Sequence, residues 1–177
     1  MSGRHRPQHV SWQVNAGGVI GLVGVLASGR SSLARIIAGI DPEHSGTIKV
    51  GGKTVIFRRP GDAGSAGVAL VPESRATQGI IADHSVQSNV TMASLRKLVR
   101  NGFELRNLSK ATTDEQIERL AIKTASRDHA VGTLYGGNQQ KVVIGKWLAK
   151  RPDVLVQDEP TAGIDIETRS EMVTLDR

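Results

Sequence analysis

The apolar positions of the chain change period several times. Residues 10–14 alternate, with Val10, Trp12 and Val14 separated by polar neighbours, which is the period of a half-buried strand. Gly17-Gly18 marks a turn, and the aliphatic run over 19–23 predicts a strand buried on both faces. After a glycine-containing loop, Leu33, Ile36 and Ile37 give residues 31–40 a helical spacing. Residues 45–57 predict two short strands around Gly51-Gly52, and 67–71 a further strand stopped by Pro72. From about residue 83 the pattern turns helical. Val90, Leu95 and Leu98 predict one helix. Residues 113–125 predict a second, with Thr113 as its N-cap and Ile117, Leu120 and Ile122 among its apolar positions. Residues 138–150 predict a third, 154–156 a buried strand and 167–175 a closing helix. Strands gather at both ends and helices in the middle, so the pattern predicts an α/β core over 1–82 and 150–177 and a helical subdomain over 83–149.

Composition narrows this. A chain of 177 residues suits one domain with a real core, and an aromatic content of only 3% makes that core aliphatic. The lack of cysteine excludes disulfides, zinc fingers and thiol nucleophiles, and is compatible with a reducing cytoplasm. The formal charge of +6 fits an anionic partner and equally a solvated basic surface. Arg4 and Arg6 ahead of the apolar run 16–27 imitate a secretory leader, but four glycines interrupt the run, and Gly29-Arg30-Ser31-Ser32 follows it. A buried strand entering a phosphate loop explains the stretch better. No stretch reaches the roughly 20 apolar residues that span a bilayer, so a membrane role is expected only through a partner.

Three motifs carry chemistry. Gly24-Val25-Leu26-Ala27-Ser28-Gly29-Arg30-Ser31 fits the phosphate-loop pattern with Arg30 where lysine is usual. Its glycines allow backbone N–H groups to wrap phosphate, the following helix adds its positive end, and Ser31 is placed to reach Mg²⁺. Val154-Leu155-Val156-Gln157-Asp158-Glu159-Pro160 is an apolar strand ending in two carboxylates. In phosphate-loop ATPases the first supports Mg²⁺, and the second can orient or deprotonate water. Each of these motifs alone also reads as ordinary structure, a strand–turn–helix corner and a strand end with surface acids. Leu134-Tyr135-Gly136-Gly137-Asn138-Gln139-Gln140-Lys141 places two glycines at a helix start, exposing N–H groups to a phosphate.

The last motif resembles the signature sequence of ABC ATPases, in the wording typical of sugar-importer ATPases. Pro72-Glu73-Ser74-Arg75, Ser85-Val86-Gln87-Ser88-Asn89-Val90, Lys146-Trp147-Leu148-Ala149 and Pro160-Thr161-Ala162-Gly163-Ile164-Asp165 extend the resemblance over most of the chain, most closely to the C-terminal ATPase halves of such importers. It implies a P-loop NTPase (RecA-like) core with an inserted helical subdomain, truncated at the C-terminus. It implies ATP and Mg²⁺ as cofactors and hydrolysis of the β–γ phosphoanhydride. Gly24, Ser28, Gly29, Arg30, Ser31 and Ser32 would hold phosphate, Ser31 and Asp158 the Mg²⁺, and Glu159 would be the base. Glu73 would link nucleotide to the membrane subunit. Tyr135, Gly136 and Gly137 would face the nucleotide of the opposing domain, and Asp165 would sit in the loop crossing that interface. The implied partners are a second ABC ATPase domain in a head-to-tail pair, integral-membrane permease subunits and, indirectly, a periplasmic sugar-binding protein. The implied location is the cytoplasmic face of the membrane.

The departures have consequences. Arg30 is a planar fork rather than a point charge, and Tyr135 stands where the family has a small serine. No histidine follows Glu159, where the family's switch histidine would lie. The adenine-stacking aromatic would fall near or before residue 1, and Trp12 matches a core-strand position, where packing is expected. A non-hydrolysing regulatory or decayed half is therefore one alternative. An ABC-type ATPase acting on nucleic acid is another, suggested by the charge. No basic run interleaved with aromatics supports it, so nucleic acid is not expected as a partner.

Overall fold

The computed structural model describes residues 8–25, 28–41 and 45–159. The chain divides into two compact units between Leu70 and Val71. In the first, α1 (Arg30–Ile37) forms where the helical spacing places it, with Ala34 buried. Gly39 ends its last turn so close to Phe57 that an added methyl would lie 2.9 Å from the Phe57 Cβ. Phe57 itself is buried. Arg35 donates from Nε and Nη2 to the Asp41 carboxylate at 2.8 and 3.0 Å, tying the helix to the chain that leaves it. The hairpin expected around Gly51-Gly52 is β1 (Ile48–Val50) paired antiparallel with β2 (Lys53–Val55), in the register Ile48↔Val55.

A short helix, α2 (Pro60–Ser65), has no counterpart in the apolar pattern. Pro60 starts it, and the Asp62 carboxylate accepts from Arg58 N at 3.0 Å and Arg59 Nε at 3.2 Å. It is held by local polar bonds, which leave no apolar period to read. β3 (Val68–Val71) is buried throughout and stops before Pro72, as expected.

The two N-terminal strands are a correction. Neither 10–14 nor 19–23 has strand structure. Val19 and Val23 are 79% and 98% exposed, and Trp12 is also exposed rather than packed. A strand is defined by ladder bonds to a neighbour, and apolar propensity cannot supply them. Among the described residues every sheet has only two strands, and neither stretch belongs to one.

The second unit contains a π-helical turn (Arg75–Gly79) soon after β3. The helix expected through Val90, Leu95 and Leu98 is broken in two. α3 (Val86–Thr91) passes through a 3₁₀ turn (Met92–Ser94) into α4 (Leu95–Leu98). Ser85 caps α3 by accepting from Ser88 N at 3.0 Å. Asn89, buried at the centre of that stretch, accepts from Ile81 N at 2.8 Å and donates to the carbonyls of Ile81, His84 and Ser85. A hairpin of β4 (Val99–Arg100) and β5 (Phe103–Glu104) leads into α5 (Arg106–Arg119). Thr113 therefore lies inside this helix rather than at its N-cap, and its buried hydroxyl donates to the Ser109 carbonyl at 2.8 Å. A mid-helix threonine makes this i−4 bond readily, which gives it two possible readings in sequence. The helix also ends earlier than expected, with Ala121 in the left-handed region at φ 47°.

After a 3₁₀ turn (Val131–Thr133), α6 (Gly136–Lys150) runs through the unit, two residues longer at its start than the apolar period indicates. It is followed by β6 (Val154–Gln157), a strand where one was expected, but only half-buried, with Val154 38% exposed rather than covered. The core is aliphatic, as the composition implies. Val71, Val86, Val90, Leu120, Val142 and Val143 pack together with Ile122, Val131 and Ile144. The closing helix expected over 167–175 lies outside the described residues.

Candidate functional site

The phosphate-loop motif sits at the start of α1. Gly29 takes the N-cap position with φ 90° and ψ 7°, a left-handed conformation that side chains rarely adopt. Leu33 N donates to its carbonyl at 2.9 Å, so the helix begins there. Ser28 N bonds to Val25 O at 3.1 Å and closes the loop. The fold passes so tightly over Gly24 that an added methyl would meet the Ser28 Oγ at 2.5 Å. Gly24, Ser28, Gly29 and Arg30 are thus brought together, with Ser31 and Ser32 in the first helical turn. That turn contains no acidic residue. Leu26 and Ala27 lie outside the described residues.

The two carboxylates end β6 in the second unit. Asp158 N donates to Val71 O at 3.0 Å, pairing the end of β6 with the end of β3. Both carboxylates lie just beyond the last strand residue, Asp158 buried and Glu159 exposed. Glu159 sits at φ 47°, so the chain turns away sharply at the second carboxylate. Glu73 follows β3 by two residues and is exposed.

Tyr135 is the N-cap of α6, and its carbonyl accepts from Asn138 N and Gln139 N at 2.9 and 3.0 Å. Tyr135 is 88% exposed. Gln139 Nε2 donates to Leu134 O at 2.9 Å, and Asn138 Oδ1 accepts from Lys123 N at 2.7 Å. The polar residues of the motif thus fix the approach to the helix, and Gly137 is buried in its first turn. Gly136 lies against the Arg75 guanidinium, where an added methyl would be 2.6 Å from Nη2. Nothing in the sequence gives Arg75 a role, and only packing brings it to the helix start. Asp165 lies outside the described residues. Among the described residues no three His, Cys, Asp or Glu side chains cluster as metal ligands.

Residues 7–162 match the family model described as ABC transporter. The chain is 44% identical, over 96% of its length, to the ribose import ATP-binding protein RbsA of a Chelativorans species, and covers 34% of that protein. It is 40% identical, over 92% of its length, to a ribose import ATP-binding protein of Streptomyces coelicolor, covering 32% of it. The chain thus spans about a third of the length of the curated relatives it matches. Among solved structures, a dimeric ATP-binding cassette in a post-hydrolysis state with ADP and Pi aligns at a TM-score of 0.74. That match has 21% identity and covers 93% of this chain and 70% of the other. A part of the cbiONQ ABC transporter complex from Clostridium perfringens aligns at 0.76 with 24% identity, covering 94% and 63%. These likenesses establish the fold, an ATP-binding cassette of the P-loop NTPase kind.

Proposed function

Because the chain belongs to the ABC transporter ATP-binding family, we propose that it binds ATP as part of a sugar-importing ATPase, paired head to tail with a second such domain beneath a membrane permease. The observation that carries this reading is the left-handed Gly29 cap, which turns residues 24–31 into a loop closed over a helix start. The relatives named for ribose import support sugar as the cargo class. No helix among the described residues is long and apolar enough to cross a membrane. The chain would attach at the cytoplasmic face through a permease, with a periplasmic sugar-binding protein on the far side.

The loop suits a phosphate chain, since it is tight at Gly24 and carries no acid in the first turn of α1. Gly24, Ser28, Gly29, Arg30, Ser31 and Ser32 would hold the phosphates. Ser31 and Asp158 would each supply an oxygen donor of the kind Mg²⁺ takes alongside phosphate oxygens. Bound Mg²⁺ would neutralise charge on the transferred phosphoryl group. Glu159, exposed at the strand end, would orient or deprotonate the attacking water. Glu73, exposed on the segment after β3, would report nucleotide to the permease. Tyr135, Gly136, Gly137 and Asp165 would face the partner domain's nucleotide. The core is proposed to comprise 1–82 and 150–177, with 83–149 as the helical subdomain.

Arg30 and Tyr135 favour a second reading, a half that binds nucleotide and hydrolyses it poorly. Turnover of the pure chain, compared with turnover in the presence of a cognate ATPase partner, separates the two. Calorimetry with Mg·ATP tests the shared premise, and a folded chain that binds none at about millimolar concentration, the upper end of ordinary substrate affinities, refutes both.

A further inference from the structure

One charged side chain in the second unit has no part in the chemistry above. Lys146 lies about one turn before the end of α6 and is 6% exposed. Its neighbours Val142, Val143 and Ile144 belong to the aliphatic core. A buried ammonium is costly unless its hydrogens are used. Its Nζ donates to the carbonyl of Gly79 at 2.6 Å, and it stands 5.2 Å from the centre of the Trp147 ring.

Gly79 is the last residue of the π-helical turn. An added methyl on it would lie 2.8 Å from a Val143 methyl, so the turn and α6 meet there without room for a side chain. At the other end of the same turn, Arg75 lies against Gly136, the first residue of α6. The turn therefore spans the helix from its glycine-rich start to its penultimate turn, touching it at both ends. The same turn is joined through Glu73 and Pro72 to Val71, whose carbonyl is bonded to Asp158 N. A continuous path within one unit runs from the buried carboxylate to the helix start at Tyr135.

We propose that Lys146 is a positioning residue that latches the Arg75–Gly79 turn to α6, so that the turn and the glycine-rich helix start move as one piece. Shape alone does not account for it. A leucine or methionine would fill the same core space, yet the chain places a cation there and aims it at a backbone carbonyl. Charge-assisted bonds of this kind are short and strong. Burial pushes the Lys146 ammonium down to about 8, which agrees with its seat in the core. The proposal rests on the ATPase reading only for what the latch serves.

The test is backbone hydrogen exchange of the full chain without nucleotide. Gln78 N and Ile80 N close the turn onto Ser74 O and Arg75 O. In Lys146→Met these amides are expected to exchange about tenfold faster or more, the loss of one charged hydrogen bond. Lys146→Arg keeps the donor and is expected to stay near wild type, and α5 amides are expected to be unchanged in both. A methionine variant that exchanges like wild type overturns the latch, because the side chain is then packing only. Should Lys146→Met fail to fold, amine labelling of the wild type decides instead. Lys146 is expected to react far more slowly than the exposed Lys110, and equal rates overturn the proposal. In a complex with a competent partner domain, Lys146→Met is expected to lower kcat and leave KM for ATP unchanged, and an unaltered kcat counts against the coupling. If the wild-type complex shows no turnover, the ATPase reading fails, while the nucleotide-free exchange still decides the latch.

Discussion

At position 135 a phenol ring stands where the family places a small hydroxyl, and it is nearly fully exposed at the start of α6. Facing a partner's γ-phosphate, it would crowd the site and remove a compact donor. Losing one donor to developing charge typically costs about 10²–10³ in rate. Tyr135→Ser is therefore expected to raise turnover by about an order of magnitude or more in a complex with a competent partner domain. Arg30→Lys is the control, altering this chain's own loop and leaving the partner's site unchanged. A wild-type complex already as fast as the serine variant would show that the exposed ring swings clear. Gly29 gives a second residue-scale test. Its φ of 90° excludes a β-branched side chain without strain, so Gly29→Val is expected to abolish Mg·ATP binding in calorimetry while far-ultraviolet dichroism stays unchanged. Retained binding would mean that the loop over 24–31 is not the phosphate site.

Among the elements, the break between β3 and α3 is held by single polar side chains. Asn89 uses both ends of its amide on the loop 81–85. Removing it leaves part-buried backbone groups without that partner, at up to about 1–3 kcal/mol. Asn89→Ala is expected to lose that much in urea unfolding, while Asn89→Asp leaves an acceptor and loses the donors. α6 gives a pH test with a definite sign. The folded Lys146 titrates at about 8 against 10.5 for the ordinary group. Between those values the unfolded chain binds more protons than the native one, so stability rises with pH across the window. Lys150, pushed down by burial and by Lys97 and Arg96, adds a slope of the same sign. Lys146→Met is expected to flatten the rise measured by unfolding between pH 8 and 10.5, and an equally steep rise in the variant would exclude Lys146 as its source.

For the whole molecule, the expected behaviour is binding with little turnover. The composite ATPase site of the proposed function needs a second domain, so the pure chain is expected to hydrolyse ATP barely above background. Glu159→Gln is then expected to change that rate little, and to matter only once a partner is added. Brisk hydrolysis by the pure monomer, lost in Glu159→Gln, would contradict both statements. The apolar stretch over 10–25 matters at this scale as well. Val19, Val23 and Val25 are 79%, 98% and 80% exposed, a concentration of apolar surface that ordinarily marks a contact or an aggregation site.

Local features were legible in the sequence because they depend on neighbours a few residues away. The glycines of 24–31 and 136–137, the acids at 158–159 and the hairpin at 51–52 each declare their backbone geometry by residue type. The continuous apolar run of β3 and the long apolar period of α6 declare burial in the same way. Tertiary structure decided the rest. The aliphatic run over 19–23 has strand propensity, but ladder bonds must come from elsewhere, and no described strand supplies them. Thr113 carries a good N-cap side chain, but a helix started seven residues earlier and used its hydroxyl inside. α2 forms from local polar bonds that have no apolar period. Lys146 reads as one more lysine on a helix, and only the carbonyl of a residue 67 positions earlier gives its buried charge a purpose. Periodicity reports which side of an element is covered, while the identity of the covering group is fixed only when distant segments meet.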